Sequence, residues 1–271
     1  MTEKGTGRGA GAAGSPSGST PAGRLAALGR AELTLLVRNR AMLFVALLMP
    51  VMMVGAMQGW AKELDYDKAA MSVAEASVVA GIGFVLLFVV HANLVSAYVA
   101  RREELVLKRL RTGEVSDREI LIGTSLPAVA LAVAQCVLIA AVSVAVFDVS
   151  APKRPDLLVA GVALGLVLMV ALAAVVAAGT RTVESAQLTT LPLLTVSFLG
   201  SGLFVPLDLL PEKVATVCER LPMTGAMTLV RAGWLGGVDA KEVTAAAVTA
   251  LVWVLVSVFA VRRWFRWEPR R

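Results

Sequence analysis

The chain has 271 residues, 57% of them hydrophobic and only 17% charged, with a mean hydropathy of +0.75. A soluble domain carries about 25% charged residues, so this composition excludes an ordinary soluble enzyme, a disulfide scaffold and a disordered regulator, and points to a polytopic membrane protein. The formal net charge of +6 does not indicate nucleic acid, because Lys and Arg in a membrane protein collect in cytoplasmic loops and set topology.

Residues 1–23 are Gly, Ser, Ala, Thr and Pro in the main. They cannot bury a core and are expected to form a disordered tail. Residues 24–40 predict an amphipathic helix, with Leu25, Leu28, Leu35 and Leu36 on one arc and Arg24, Arg30, Arg38 and Arg40 suited to anionic headgroups. A plain charged lead-in to the first span fits the same residues. Six apolar runs then approach or exceed the roughly 20 residues that a crossing needs. They fall at about 41–60, 73–99, 119–147, 157–179, 187–206 and 242–262. Ser72-x-x-Glu75 and Ser116-x-x-Glu119 have the form of capping boxes at the start of the second and third spans. Pro50, Pro127 and Pro192 lie inside spans, where neighbouring helices satisfy the freed carbonyls.

With the N-terminus inside, 18 of the 26 Lys and Arg fall in cytoplasmic segments and 8 outside. The positive-inside rule therefore predicts both termini in the cytoplasm. Residues 24–265 form one six-helix membrane unit on this reading, and 266–271 a basic cytoplasmic tail. The bias toward Arg, Ala, Val and Gly hints at a GC-rich bacterium, and the expected location is the bacterial cell (inner) membrane.

No P-loop, CxxC pair or HExxH occurs, and the single His91 rules out a multi-His metal site. Cys136 lies in an apolar run and Cys218 in a polar segment, so no bridge between them is expected. Catalytic residues, metal ligands and bound cofactors are not expected on this chain. The spans are also nearly free of the ionisable groups that ion coupling needs. His91, with Asn93 and Gln135, is deep; an interhelical hydrogen bond is the plain role for it and a proton relay the alternative.

Two connecting segments stand out. ARREELVLKRLRTGEVSDREI, from Ala100, predicts a short charged helix ended by Thr112-Gly113. Both signs of charge around Leu105, Leu107 and Leu110 suit docking into a protein groove better than a lipid surface, with a solvated loop whose arginines only set topology as the alternative. After span five, Pro206, Pro211 and Pro222 break 207–240 into short pieces. Residues 212–221 and 223–235 predict helices too short to span, forming an outer lid or re-entrant element, with a plain surface loop as the alternative. Gly161-x-x-x-Gly165 permits close helix approach, with a dimer contact as one use.

Four stretches together resemble the permease subunit of ATP-binding-cassette transporters of the type-2 export family. They are AELTLLVRNRAMLFVALLMPVMM, RREELVLKRLRTGEVSDREILIGTSLP, RTVESAQLTTLPLL and SGLFVPLDLLPEKVATVCERLPMTGAMTLVRAGW. The resemblance covers about residues 24–265. It implies an all-α fold in which 24–40 is a connecting helix and 101–114 a coupling loop. Arg102, Glu103, Glu104, Leu107, Arg109, Arg111 and Glu114 would then meet a cytoplasmic P-loop ATPase subunit that binds ATP and Mg. It further implies a second permease copy, in a homodimer, and a substrate path lined by spans two and five. Phe84, Phe88, His91, Asn93, Thr195, Ser197 and Phe198 are the path candidates. The compact form without a large outer domain is similar to drug and antibiotic exporters of actinobacteria, moving a hydrophobic small molecule within membrane lipid. Export of a lipid-linked or polysaccharide substrate, and a proton-driven carrier, remain as alternatives.

Overall fold

The computed structural model describes residues 23, 29, 30, 34, 40–61, 72–104, 117–203 and 211–265. All regular structure among them is helical. Helix α1 (Arg40–Ala61) holds Pro50 in its interior. The second pass is one continuous rod in three parts: α2 (Val73–Phe84), a π-helical stretch (Val85–Ala92) and α3 (Asn93–Glu103). Its start is the expected capping box. Ser72 Oγ accepts from the Glu75 amide, and the Glu75 carboxylate accepts from the Ser72 amide at 3.1 Å. The later passes are α4 (Asp117–Val146), α5 (Pro155–Gly179), α6 (Val183–Gly200) and α9 (Ala240–Trp264). Between α6 and α9 stand two short helices, α7 (Glu212–Cys218) and α8 (Pro222–Leu235).

Four of these rods are long and apolar enough to cross a membrane: Ala74–Glu103, Glu119–Val146, Pro155–Gly179 and Ala240–Trp264. The chain is thus an all-α, multi-pass membrane protein. Helix α6 departs from its expected span of 187–206. It starts earlier, where Thr182 and Ser185 form a capping box, and stops at Gly200. The stop is conformational: Gly202 takes a φ of +70°, a left-handed backbone open to glycine. The second capping signature, at Ser116, lies outside the described residues. Of 24–39 only Gly29, Arg30 and Thr34 are described, each helical, with Gly29 directly against Leu126 of α4.

The second pass forms the middle of the bundle, touching α1, α4, α5, α6 and α8. Val78, Val79, Ile82, Leu86, Leu87, Val90 and Leu94 along it are buried. The other surprise is α8. It does not lie on the surface; nearly every residue from Pro222 to Trp234 is buried between α5, α9 and α2. At about 1.5 Å per residue, its 14 residues cannot cross a bilayer, and the helix is built into the bundle. Small residues allow this. A Cβ on Gly161 of α5 would meet the Val230 amide of α8 at 2.8 Å, and one on Gly233 would meet the Leu158 amide at 2.3 Å. On the other side, a Cβ on Gly225 would meet the Ala246 carbonyl of α9 at 2.4 Å. Backbones therefore touch backbones, which is how helices associate where lipid removes the hydrophobic drive. The Gly161/Gly165 pair is buried against α8 and Leu86 of the same chain, so its close approach serves internal packing and the dimer use considered above is not needed to explain it.

The far end of α8 is pinned. The amides of Lys153 and Arg154, just before α5, donate to the carbonyls of Trp234 and Gly233 at 3.2 and 2.9 Å. Arg154 also reaches Asp156 in the first turn of α5 at 2.7 Å.

Candidate functional site

The path candidates on spans two and five divide into groups. Phe84 and Phe88 stack at 4.3 Å between ring centroids, and Phe198 of α6 meets Phe88 edge-on at 5.8 Å. This trio joins the two spans that the resemblance singled out. Phe88 remains 37% exposed, and α6 presents Leu188, Leu191, Val196 and Leu199 without cover in the monomer. Aromatic rings beside open aliphatic surface offer an apolar body a place to lie, with edge and face contacts available.

His91 is not part of that surface. In an α-helix, positions 84, 88 and 91 form one stripe, but the backbone here is π-helical from Val85 to Ala92. The Asn93 amide reaches the Phe88 carbonyl, five residues back, and the wider turn carries later residues off the stripe. His91 accordingly points into the bundle with no exposed area. Neither ring nitrogen has a hydrogen-bond partner; the Met169 backbone on α5 faces the ring without hydrogen-bond geometry. Asn93 and Thr195 are exposed, away from the bundle interior, whereas Ser197 is buried with its hydroxyl unpartnered.

At the opposite end of span two, the coupling candidates also separate. Glu103 and Glu104 are exposed. Leu107, Arg109, Arg111 and Glu114 lie outside the described residues. Arg102 turns inward and is 1% exposed. Its Nη1 donates to the Ala177 carbonyl at 2.9 Å, and its Nη2 donates to the Thr180 carbonyl and, at 3.4 Å, to that of Arg181. These carbonyls close the C-terminus of α5, where helical partners run out and a cation is favoured.

Several contacts around it carry no sequence motif. Tyr98 Oη donates to the Leu121 carbonyl at 3.1 Å, and Arg101 to Thr124 Oγ1 at 3.1 Å, both tying α3 to α4. The Tyr98 ring meets Phe265 beyond α9 edge-on at 6.4 Å. Among the described residues no group of His, Cys, Asp and Glu is placed to hold a metal ion.

The end of the bundle with Arg102 thus gathers the ends of α3, α5 and α9 and the starts of α4 and α6, while the trio lies further along the same two spans. A comparison with curated proteins finds no match. The model of the ABC-2 type transporter family matches residues 24–235, which takes in α1, the whole second pass, the trio, the α5–α6 turn and α8. Helices built to cross a membrane and a match over well over half the chain place this protein in the ABC-2 type transporter family, whose members are the transmembrane permeases that work with a cytoplasmic ATPase subunit.

Proposed function

We propose that this permease exports a hydrophobic small molecule of the drug or antibiotic class across the bacterial cell membrane, driven by ATP bound with Mg on a separate ATPase subunit. The observation that supports the substrate class is the Phe84–Phe88–Phe198 trio between spans two and five, with Phe88 partly exposed and further apolar side chains exposed along α6. Such a surface binds through area and ring contacts and demands few fixed polar partners. A second copy of the chain would face it across the pathway. Closure of the ATPase dimer on ATP would push on the 101–114 hairpin, and the two halves would exchange inward for outward access by rigid-body movement.

The test is reconstitution of the chain with its ATPase in vesicles, using a hydrophobic fluorescent dye such as rhodamine 6G. Export is expected only with ATP and Mg. Phe88→Ala and Phe198→Ala should each raise the apparent KM for dye roughly tenfold, the loss of about 1.4 kcal/mol of contact, while ATP hydrolysis persists. Deletion of 103–111 should abolish ATPase association. Dye movement by the chain alone without nucleotide would overturn the reading. Unaltered dye kinetics in both Phe variants would remove the trio from the path.

A further inference from the structure

The guanidinium of Arg102 joins two segments that lie 75–79 residues apart in sequence. One is the last full turn of span two, immediately before the exposed Glu103 and Glu104. The other is the end of α5 and the turn into α6. Burying a cation beside a membrane domain is costly unless the charge is well partnered. Its partners among the described residues are carbonyls, which side-chain substitution does not remove, and a planar fork reaches several at once where an ammonium acts as one point.

The turn it holds is itself tied in both directions. The Thr180 hydroxyl donates to the Val176 carbonyl at 2.8 Å and lies 2.8 Å from the Thr189 hydroxyl on α6. Thr182 and Ser185 close the start of α6 with reciprocal bonds at 3.0 and 3.2 Å. A shift of the turn therefore has no slack to absorb it before α6, the helix that carries Phe198. Helix α3 also packs directly on α6.

We propose that Arg102 is a positioning residue for transport: its fork locks the end of span two to the α5–α6 turn, so that displacement of the adjacent hairpin moves span five with it. This rests on the exporter reading for its purpose, though the joint itself does not. It departs from the expectation that Arg102 meets the ATPase, because the side chain is turned away from the exposed surface.

The experiment uses the full chain in complex with its ATPase in vesicles. The buried Cys136 and Cys218 are replaced by Ala, and spin labels are placed at the exposed Glu104 and Glu184. In the wild-type chain the distance between labels should stay single and narrow both without nucleotide and with ATP plus vanadate. In Arg102→Gln it should spread into several populations, and rhodamine 6G exported per ATP hydrolysed should fall about tenfold, in the ordinary range for coupling between sites. Arg102→Lys keeps the cation at the helix end and so guards against misfolding of the Gln variant; it too should broaden the distance, with a smaller loss of coupling. A narrow wild-type distance in both variants would overturn the proposal. So would loss of ATPase association with the distance unchanged, which would return Arg102 to the subunit interface. A wild-type complex that hydrolyses ATP yet exports no dye would overturn the exporter reading, and the distance measurement would still decide whether the joint exists.

Discussion

At His91 the residue type and its setting point in different directions. An ionisable ring in the middle of a span marks a functional site by default, yet this ring is fully buried and neither nitrogen reaches hydrogen-bond geometry among the described residues. A buried polar group in that condition costs about 1–3 kcal/mol. His91→Leu is therefore expected to leave thermal stability of the detergent-solubilised chain unchanged or raised, and to leave the pH profile of ATP-driven export as it was. Lost export at normal stability would make His91 a participant. Arg102 is the opposite case. Its position among charged residues reads as exposed hairpin, because sequence does not disclose which of Arg101, Arg102 and Glu103 turns inward. The only trace was the polar Thr180-Arg181-Thr182 turn after a 25-residue apolar helix, whose last carbonyls need partners from somewhere.

At the scale of elements, the membrane helices were legible because length and apolarity alone define them. What periodicity marks in a soluble helix is missing here. Runs such as VLLFVVHA are apolar on every side, so nothing in them signals the π-helical turn, and the facing of Phe88, His91 and Asn93 followed from that turn. Helix α8 was legible as a helix too short to span but not as a buried one. Its environment depends on glycines of α5 and of α8 itself, which let α8 meet the backbones of α5 and α9 across the bundle. These contacts make a sharp comparison. Gly233→Ala places a Cβ into the Leu158 backbone and Gly161→Ala into that of Val230, so each should lower stability by about 1–3 kcal/mol. Gly179→Ala, with nothing within 4 Å of its Cβ and no positive φ, should be neutral or stabilising by about 0.4–1 kcal/mol. Thermal unfolding in lipid nanodiscs would rank the three. Equal effects at Gly179 and Gly233 would contradict the backbone-to-backbone packing of α8. Loss of the cap in Ser72→Ala belongs to the same scale, at about 0.5–2 kcal/mol.

For the whole molecule, the distribution of charge between the two ends carries the orientation. The ends of α3, α5 and α9 bring Arg101, Arg102, Arg181, Arg262 and Arg263 to one end, which the Arg102 and Tyr98 contacts draw together. Lys153, Arg154 and Lys241 stand at the other, beside Asp148, Asp156, Asp239 and Glu242. Cationic residues are retained on the cytoplasmic side, and acidic residues weigh little in that choice. The arginine-rich end should therefore face the cytoplasm, which is also the side from which an ATPase must reach the hairpin. Single cysteines at Glu104, Lys153 and Lys241, all exposed, in a background with Cys136 and Cys218 replaced by Ala, give the measurement. A membrane-impermeant maleimide is expected to label positions 153 and 241 on intact cells with the outer membrane opened, if one is present, and position 104 only in inverted vesicles. The reverse pattern would put the hairpin on the wrong side for any ATPase, and with it both the ATP-driven reading and the purpose assigned to the Arg102 joint would fall, whatever the family of the chain.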